Sequence, residues 1–296
     1  MTKIKDQNIL ITGGANGIGK MLGEKSLREG AAHLVIWDIN QENLQKTVEE
    51  FKGKGFENVT PYVVDIANTQ DIENQSAKVL TEVGTIDILY NNAGVVVGKQ
   101  FYEHTARDID KTIQINVLGV MHTTRVFLPA MIKKGAGHVI NIASAAGLTP
   151  NPKMSVYAAS KWAVLGWSES LRIEMERIGK DFHVTTVTPS YINTGMFDGV
   201  KAPLITPILD PNDVTDKILN AVKENEILLR APFSVNLLPL FRGVLPARVF
   251  DFVGGTLFGI YDTMADFLGR PKEEALPDKQ DRSQASASKK TAETKA

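Results

Sequence analysis

At 296 residues the chain is long for one α/β domain and short for two, and one domain is the expectation. Its 43% hydrophobic and 23% charged residues give the balance of a globular protein with a sizeable core. A net charge of −1 offers no field for a phosphate backbone, which argues against nucleic acid as a partner, and the lack of cysteine excludes disulfides, thiolate metal sites and cysteine nucleophiles.

The opening residues, Met1 to Asp6, run straight into an apolar stretch at 8–12, without the charged-then-apolar pattern of a secretory leader. No run approaches the ~20 apolar residues of a membrane-spanning helix, so no transmembrane segment is expected and the expected location is the cytoplasm. Strands are expected at 9–12, 33–38, 60–65, 86–91, 138–144, 184–188 and 227–230. Most are short, rich in Val and Ile, and continuous rather than alternating, as strands buried on both faces should be. Helical periodicity fills the gaps, at 19–29, 41–51, 69–82 and 157–178 among others. This alternation predicts an α/β fold of Rossmann-like type, a doubly wound parallel seven-stranded sheet with helices on both faces. Residues 1–270 are expected to form the single domain, with 231–270 as an apolar extension. Residues 271–296 carry no aromatic side chain and should form a disordered polar tail.

The first strand ends in Thr12-Gly13-Gly14-Ala15-Asn16-Gly17-Ile18-Gly19, and a helix follows. Glycines let the backbone turn tightly against a pyrophosphate, whose charge sits on the positive end of the helix. Gly13, Asn16, Gly17, Ile18 and Gly19 are therefore candidate cofactor residues. Asp38 ends the second strand, 19 residues after Gly19, near the offset at which an acidic side chain meets the adenosine ribose hydroxyls. The alternative for Asp38 is a helix cap. Asp65 and Ile66 follow the third strand, and Asn92, Ala93 and Gly94 follow the fourth, where open α/β sheets bind ligands. An acidic Asp38 with no basic neighbour in the glycine loop predicts NAD in preference to NADP.

Strand five leads to Ser144, and Tyr157-Ala158-Ala159-Ser160-Lys161 follows. Four residues apart on a helix, Tyr157 and Lys161 share one face. At ~4 Å and an effective dielectric near 20, a lysine stabilises a phenolate by about 4 kcal/mol. That bounds the fall in the phenol pKa near three pH units, before burial opposes it. By itself the pattern, common on helices, fits a packed tyrosine beside a solvated lysine better.

The glycine loop, Asn91-Asn92-Ala93-Gly94, Ser144 and Tyr157-x-x-x-Lys161, in this order and spacing, resemble the short-chain dehydrogenase/reductase family over roughly residues 5–230. The resemblance implies a nicotinamide-dependent alcohol dehydrogenase or carbonyl reductase. In it Tyr157 exchanges a proton with the reacting oxygen, Ser144 hydrogen-bonds that oxygen, and Lys161 tunes the tyrosine and holds the nicotinamide ribose. It makes Asn116 the helix asparagine that holds a relay water. It also brings Pro189, Ile192 and Thr194, in the loop after strand six, to the cofactor, although Ser190 stands where many members have glycine. A homodimer or homotetramer through 105–131 and 157–178 is implied as well.

The segment ending Asp262-Thr263-Met264-Ala265-Asp266-Phe267-Leu268-Gly269-Arg270 is similar to the ending of the retinol and hydroxysteroid dehydrogenase branch, whose substrates are lipophilic. Pro239, Pro246 and Gly254-Gly255 should divide 232–270 into short helices. Phe250, Val253, Leu257, Tyr261, Met264 and Leu268 should then form one apolar face, with Tyr261 and Met264 contacting substrate. A lid, a subunit interface and a peripheral membrane contact are the three roles open to this segment. Two other readings of the whole chain remain: a sugar epimerase or dehydratase, which also uses Y-x-x-x-K, and a non-catalytic NAD-binding sensor or scaffold. The presence of Asn116, Ser144, Tyr157 and Lys161 together favours catalysis over mere binding.

Overall fold

Burial on both faces of the first strand sets the architecture. In β1 (Asn8–Thr12) Ile9 and Ile11 join one core cluster and Leu10 the other, and all three are fully buried. Such a strand needs partners on both edges and helices above and below. A computed structural model provides both and describes residues 1–203 and 206–269. The expected tail at 271–296 lies outside the described residues.

The remaining strands are β2 (His33–Asp38), β3 (Val59–Val63), β4 (Ile88–Asn91), β5 (Gly137–Ile142), β6 (Phe182–Pro189) and β7 (Leu228–Ala231). They form one parallel seven-stranded sheet in the order β3-β2-β1-β4-β5-β6-β7. The order reverses between β1 and β4, which opens a crevice above their carboxyl ends. The principal helices are α1 (Gly17–Arg28), α2 (Gln41–Gly53), α3 (Thr69–Glu82), α4 (Ala106–Ile113), α5 (Val120–Lys134), α6 (Ser155–Ile178) and α7 (Pro211–Glu224). Leu22, Phe51 and Ile218 place α1, α2 and α7 on one face. Ile72, Phe127 and Leu171 place α3, α5 and α6 on the other.

A buried polar chain fixes the middle of the sheet to its helices. Asn91 Nδ2 donates to Thr124 Oγ1 at 2.9 Å and to Asn141 Oδ1 at 2.8 Å, and Asn141 Nδ2 donates to Ser168 Oγ at 2.9 Å. These bonds join β4 and β5 to α5 and α6, and in a low-dielectric interior such chains specify one arrangement.

Several expectations need correction. β3 is not buried on both faces, because it is an edge strand: Val63 is exposed, and Pro61 sits where an edge tolerates a missing donor. β5 stops at Ile142 rather than Ser144, since Ser144 caps a 3₁₀ turn (Ala145–Gly147), accepting from Ala146 N–H at 3.1 Å. The run Ala106–Lys134 is one 29-residue helical stretch, apolar and long enough to cross a membrane, contrary to the expectation that no run approaches this. Half of its most apolar window is buried in the fold, which explains its composition. After β7 come α8 (Leu238–Val244) and α9 (Ala247–Asp251). Pro239 opens α8 instead of breaking it, and Gly254-Gly255 lie inside a continuous π-helical turn (Phe252–Leu257). The single apolar face does not form: Phe250 and Met264 are buried, while Leu257 and Leu268 are exposed.

Candidate active site

A cleft of about 400 Å³ lies over the carboxyl ends of the central strands. The glycine loop forms its floor. Gly13 has φ +65°, and a Cβ there would lie 3.0 Å from Ala93 Cα. Thr12 Oγ1 accepts from the N–H groups of Asn92 at 3.0 Å and Ala93 at 3.1 Å, and Asn92 Nδ2 donates to Gly13 O at 3.1 Å. The loops after β1 and β4 are thus one stitched unit. Gly19 does not line the cleft; a Cβ on it would fall 2.3 Å from Gly13 O. Asn16 caps α1 by accepting from Gly17 N–H at 2.7 Å, and the first turn of α1 has no acidic side chain to neutralise its positive end.

Asp38 lines the same cleft. Its carboxylate accepts from Ala15 N–H at 3.2 Å and Asn40 N–H at 3.1 Å, while Asn40, not Asp38, caps α2. The capping alternative for Asp38 is therefore unnecessary. Gly17, Ile18, Asp65, Ile66, Ala93, Gly94, Pro189, Ile192 and Thr194 also line the cleft. An open cradle that a Cβ would fill, an unneutralised helix start and a fixed carboxylate make a donor set that fits a dinucleotide. Sequence reasoning missed Lys111 of α4 and Phe267, Leu268 and Gly269, which border the cleft too.

Ser144 and Tyr157 line both this cleft and a smaller, mainly apolar chamber beside it. Burial pushes the Tyr157 phenol up to about 12, although a hydrogen bond with Ser144 pulls the other way. Burial also pulls Lys161 down to about 8. Its ammonium donates to Ile142 O at 2.8 Å and lies 5.7 Å from the centre of the Tyr157 ring. Burial, the opposing effect that the Coulombic bound leaves out, is therefore the largest influence on the phenol.

Asn116 sits in a π-helical turn (Gln114–Gly119) between α4 and α5 and is wholly buried. Its Oδ1 accepts from Val95 N–H at 2.9 Å, and its Nδ2 donates to Val95 O at 2.9 Å and Ser160 Oγ at 3.0 Å. Both amide N–H groups clamp the loop after β4 to α6.

The C-terminal segment closes the chamber with residues other than those expected. Leu238, Ile260 and Thr263 line it, together with Thr149, Asn151, Met154, Tyr191 and Phe197, none of which the motifs mark. Tyr261 does not, because its hydroxyl turns away to donate to Asp251 Oδ1 at 2.8 Å. Met264 also falls outside the lining, but is buried in a cluster with Tyr157 and Met154. Tyr191 and Thr263 hydroxyls meet at 2.8 Å, and Leu268 N–H donates to Asp198 O at 2.9 Å, tying this segment to the loop after β6.

The short chain dehydrogenase family model matches residues 7–204. Estradiol 17-beta-dehydrogenase 11 of Macaca fascicularis is 34% identical over 241 residues, covering 81% of this chain and 79% of that protein. Epidermal retinol dehydrogenase 2 of Mus musculus is 33% identical over 268 residues, covering 90% and 86% respectively. The crystal structure of a short chain dehydrogenase/reductase from Burkholderia phymatum in complex with NAD superposes with a TM-score of 0.75 at 26% identity, covering 82% of this chain and 95% of that one.

Proposed function

We propose, from the premise that this chain belongs to the short-chain dehydrogenase family, that it interconverts a lipophilic alcohol and its ketone or aldehyde with NAD(H) as hydride carrier. The supporting observation is the position of Ser144 and Tyr157 in the wall shared by the dinucleotide cleft and the apolar chamber. There one carbon can face both ligands.

When bound, the nicotinamide supplies or accepts the hydride; the protein handles the proton. With its pKa pushed up to about 12, Tyr157 is a neutral phenol at pH 7 and a competent donor to a carbonyl oxygen. In the reverse direction the phenolate, the form left when that proton has been given up, receives the alcohol proton. Ser144 hydrogen-bonds the reacting oxygen and stabilises charge as it develops. Lys161, buried beside the ring, supplies positive potential, and Asn116 holds the loop after β4 and α6 in register.

Asp38 supports NAD over NADP, since a 2′-phosphate beside its fixed carboxylate would meet like charge. The exposed Leu118, Ile132, Trp162 and Ile173 support a homodimer or homotetramer through α5, α6 and the π turn. A cytoplasmic location fits the lack of cysteine. Exposed Phe233, Leu240, Val244 and Phe252 favour one addition, contact with a membrane surface from which a lipophilic substrate would enter.

Tyr157→Phe tests the assignment. Turnover of NADH with a ketone panel should fall by ~10²–10⁴-fold, while NADH titration by fluorescence keeps its midpoint. Undiminished turnover removes Tyr157 from the reaction.

A further inference from the structure

The chain returns to the cofactor cleft long after residue 204, where the family match ends: Phe267, Leu268 and Gly269 line it. On one side this returning segment is sewn to the loop after β6. Lys201 N–H donates to Thr263 O at 3.0 Å, and the N–H groups of Leu268 and Gly269 donate to Asp198 O at 2.9 and 3.2 Å. Gly199, at φ +83°, permits the approach, because a Cβ there would overlap Asp266 O. Lys153, just before α6, adds an exposed hydrogen bond to Ala265 O at 3.0 Å.

On the other side the segment meets the loop after β4. Val95, Val96 and Val97 of that loop line the cleft, and Gly98 follows them. A Cβ on Gly98 would overlap the Phe267 ring and lie 3.0 Å from Met264 Cε, so this glycine is a notch in which the ring is seated. Phe267 is half-buried there and packs against the cluster of Tyr157, Met154 and Met264. Among the described residues no hydrogen bond joins the segment to the loop after β4, so the apolar seat alone holds that side. β4 and β6 flank β5, and a segment fixed to the loops of both spans the cleft at its Tyr157 end.

We propose that residues 263–269 form a strap across the Tyr157 end of the cofactor cleft, which lifts from the Gly98 notch whenever the dinucleotide enters or leaves. Phe267 is its catch, and the bonds to the loop after β6 are the side on which it stays attached. The Lys201–Asp266 ion pair on the strap is 71% and 62% exposed and adds little to the hold. The proposal rests on the reading of the cleft as a dinucleotide site, and it concerns cofactor exchange rather than hydride transfer.

The test is stopped-flow fluorescence of NADH association, with dissociation followed by displacing bound NADH with excess NAD. Wild type, Phe267→Ala, Gly98→Ala and the double variant are compared. Phe267→Ala should speed both steps together by roughly tenfold, less than full burial of a phenylalanine is worth, and leave Kd nearly unchanged. A ring that only touches the cofactor would speed dissociation alone and weaken Kd. Gly98→Ala should act like Phe267→Ala, because its methyl unseats the ring. The double variant should be no faster than Phe267→Ala, since the methyl then meets no ring. Unchanged rates in Phe267→Ala, faster dissociation alone, or additive effects in the double variant overturn the strap. A wild type that binds neither NADH nor NADPH refutes the dinucleotide reading, and the strap with it.

Discussion

Lys161 should cost the ligand-free protein stability in exchange for its place beside Tyr157. It is 4% exposed, and burial pulls its pKa from 10.5 to about 8. That gap of about 2.5 pH units, at ~1.36 kcal/mol each, amounts to about 3 kcal/mol of penalty at pH 7. Lys161→Met keeps the length and removes the charge, at the cost of the hydrogen bond to Ile142 O, worth about 1–2 kcal/mol. The variant should therefore be inactive yet more stable at pH 7 by about 1–2 kcal/mol, raising Tm by a few degrees. Below pH 8 both states of the wild type hold the proton and the penalty is complete. Between 8 and 10.5 the unfolded chain binds more protons than the folded one, so wild-type stability rises with pH. By pH 10 most of the penalty has gone and the order should invert, with the variant the less stable protein. Thermal unfolding of both ligand-free proteins at pH 7 and pH 10 reads this directly. A variant already less stable at pH 7, or a difference that does not move with pH, would refute the argument.

Asp38→Ser should weaken the discrimination between NADH and NADPH, shifting the ratio of kcat/KM toward NADPH by roughly 5–150-fold, as the removal of about 1–3 kcal/mol of repulsion requires; an unchanged ratio would place cofactor choice elsewhere in the cleft. Gly19→Ala should weaken NADH binding at least tenfold although Gly19 touches no part of the cleft, because its Cβ would meet Gly13 O at 2.3 Å and Asn92 Nδ2 at 2.5 Å; normal affinity in a fluorescence titration would contradict it. His138 is held near pKa 3 by burial first and the neighbouring His183 second, so the folded state stays neutral while the unfolded chain protonates near 6.5. Stability is whole above 6.5 and falls below it, by about 3 kcal/mol at pH 4.5, and His138→Gln should flatten that part of the acid-unfolding curve; equal slopes would show that His138 does not drive it.

What could be read from the chain before its fold was known follows from how local each feature is. Strand ends in a parallel sheet lie side by side whatever the loops do, so Thr12, Asp38, Asp65 and Asn92 could be placed together from spacing alone, and all but Thr12 line one cleft. The helical offset of Tyr157 and Lys161 is equally local, and α6 holds both. Their electrostatics were not legible, because burial is a property of the whole fold: the phenol rises to about 12 where a pairwise charge argument lowers it.

The segment beyond β7 failed for a different reason, and the failure has a phase. A reading at 3.6 residues per turn assigned Tyr261 to the substrate, whereas Ile260 and Thr263 face the chamber. The intervening turn, Phe252–Leu257, is π-helical, and each such turn delays the side-chain phase relative to an α-helix. A 3₁₀ turn (Ile260–Asp262) then advances it again after Gly259 at φ +67°. Gly255 permits this path, since a Cβ there would lie 2.6 Å from the Tyr261 ring. The ring packs back on its own segment, its hydroxyl reaches Asp251, and the neighbouring isoleucine is left to close the chamber. The same local geometry that misplaced Tyr261 is therefore what brings Ile260 and Thr263 to the chamber wall.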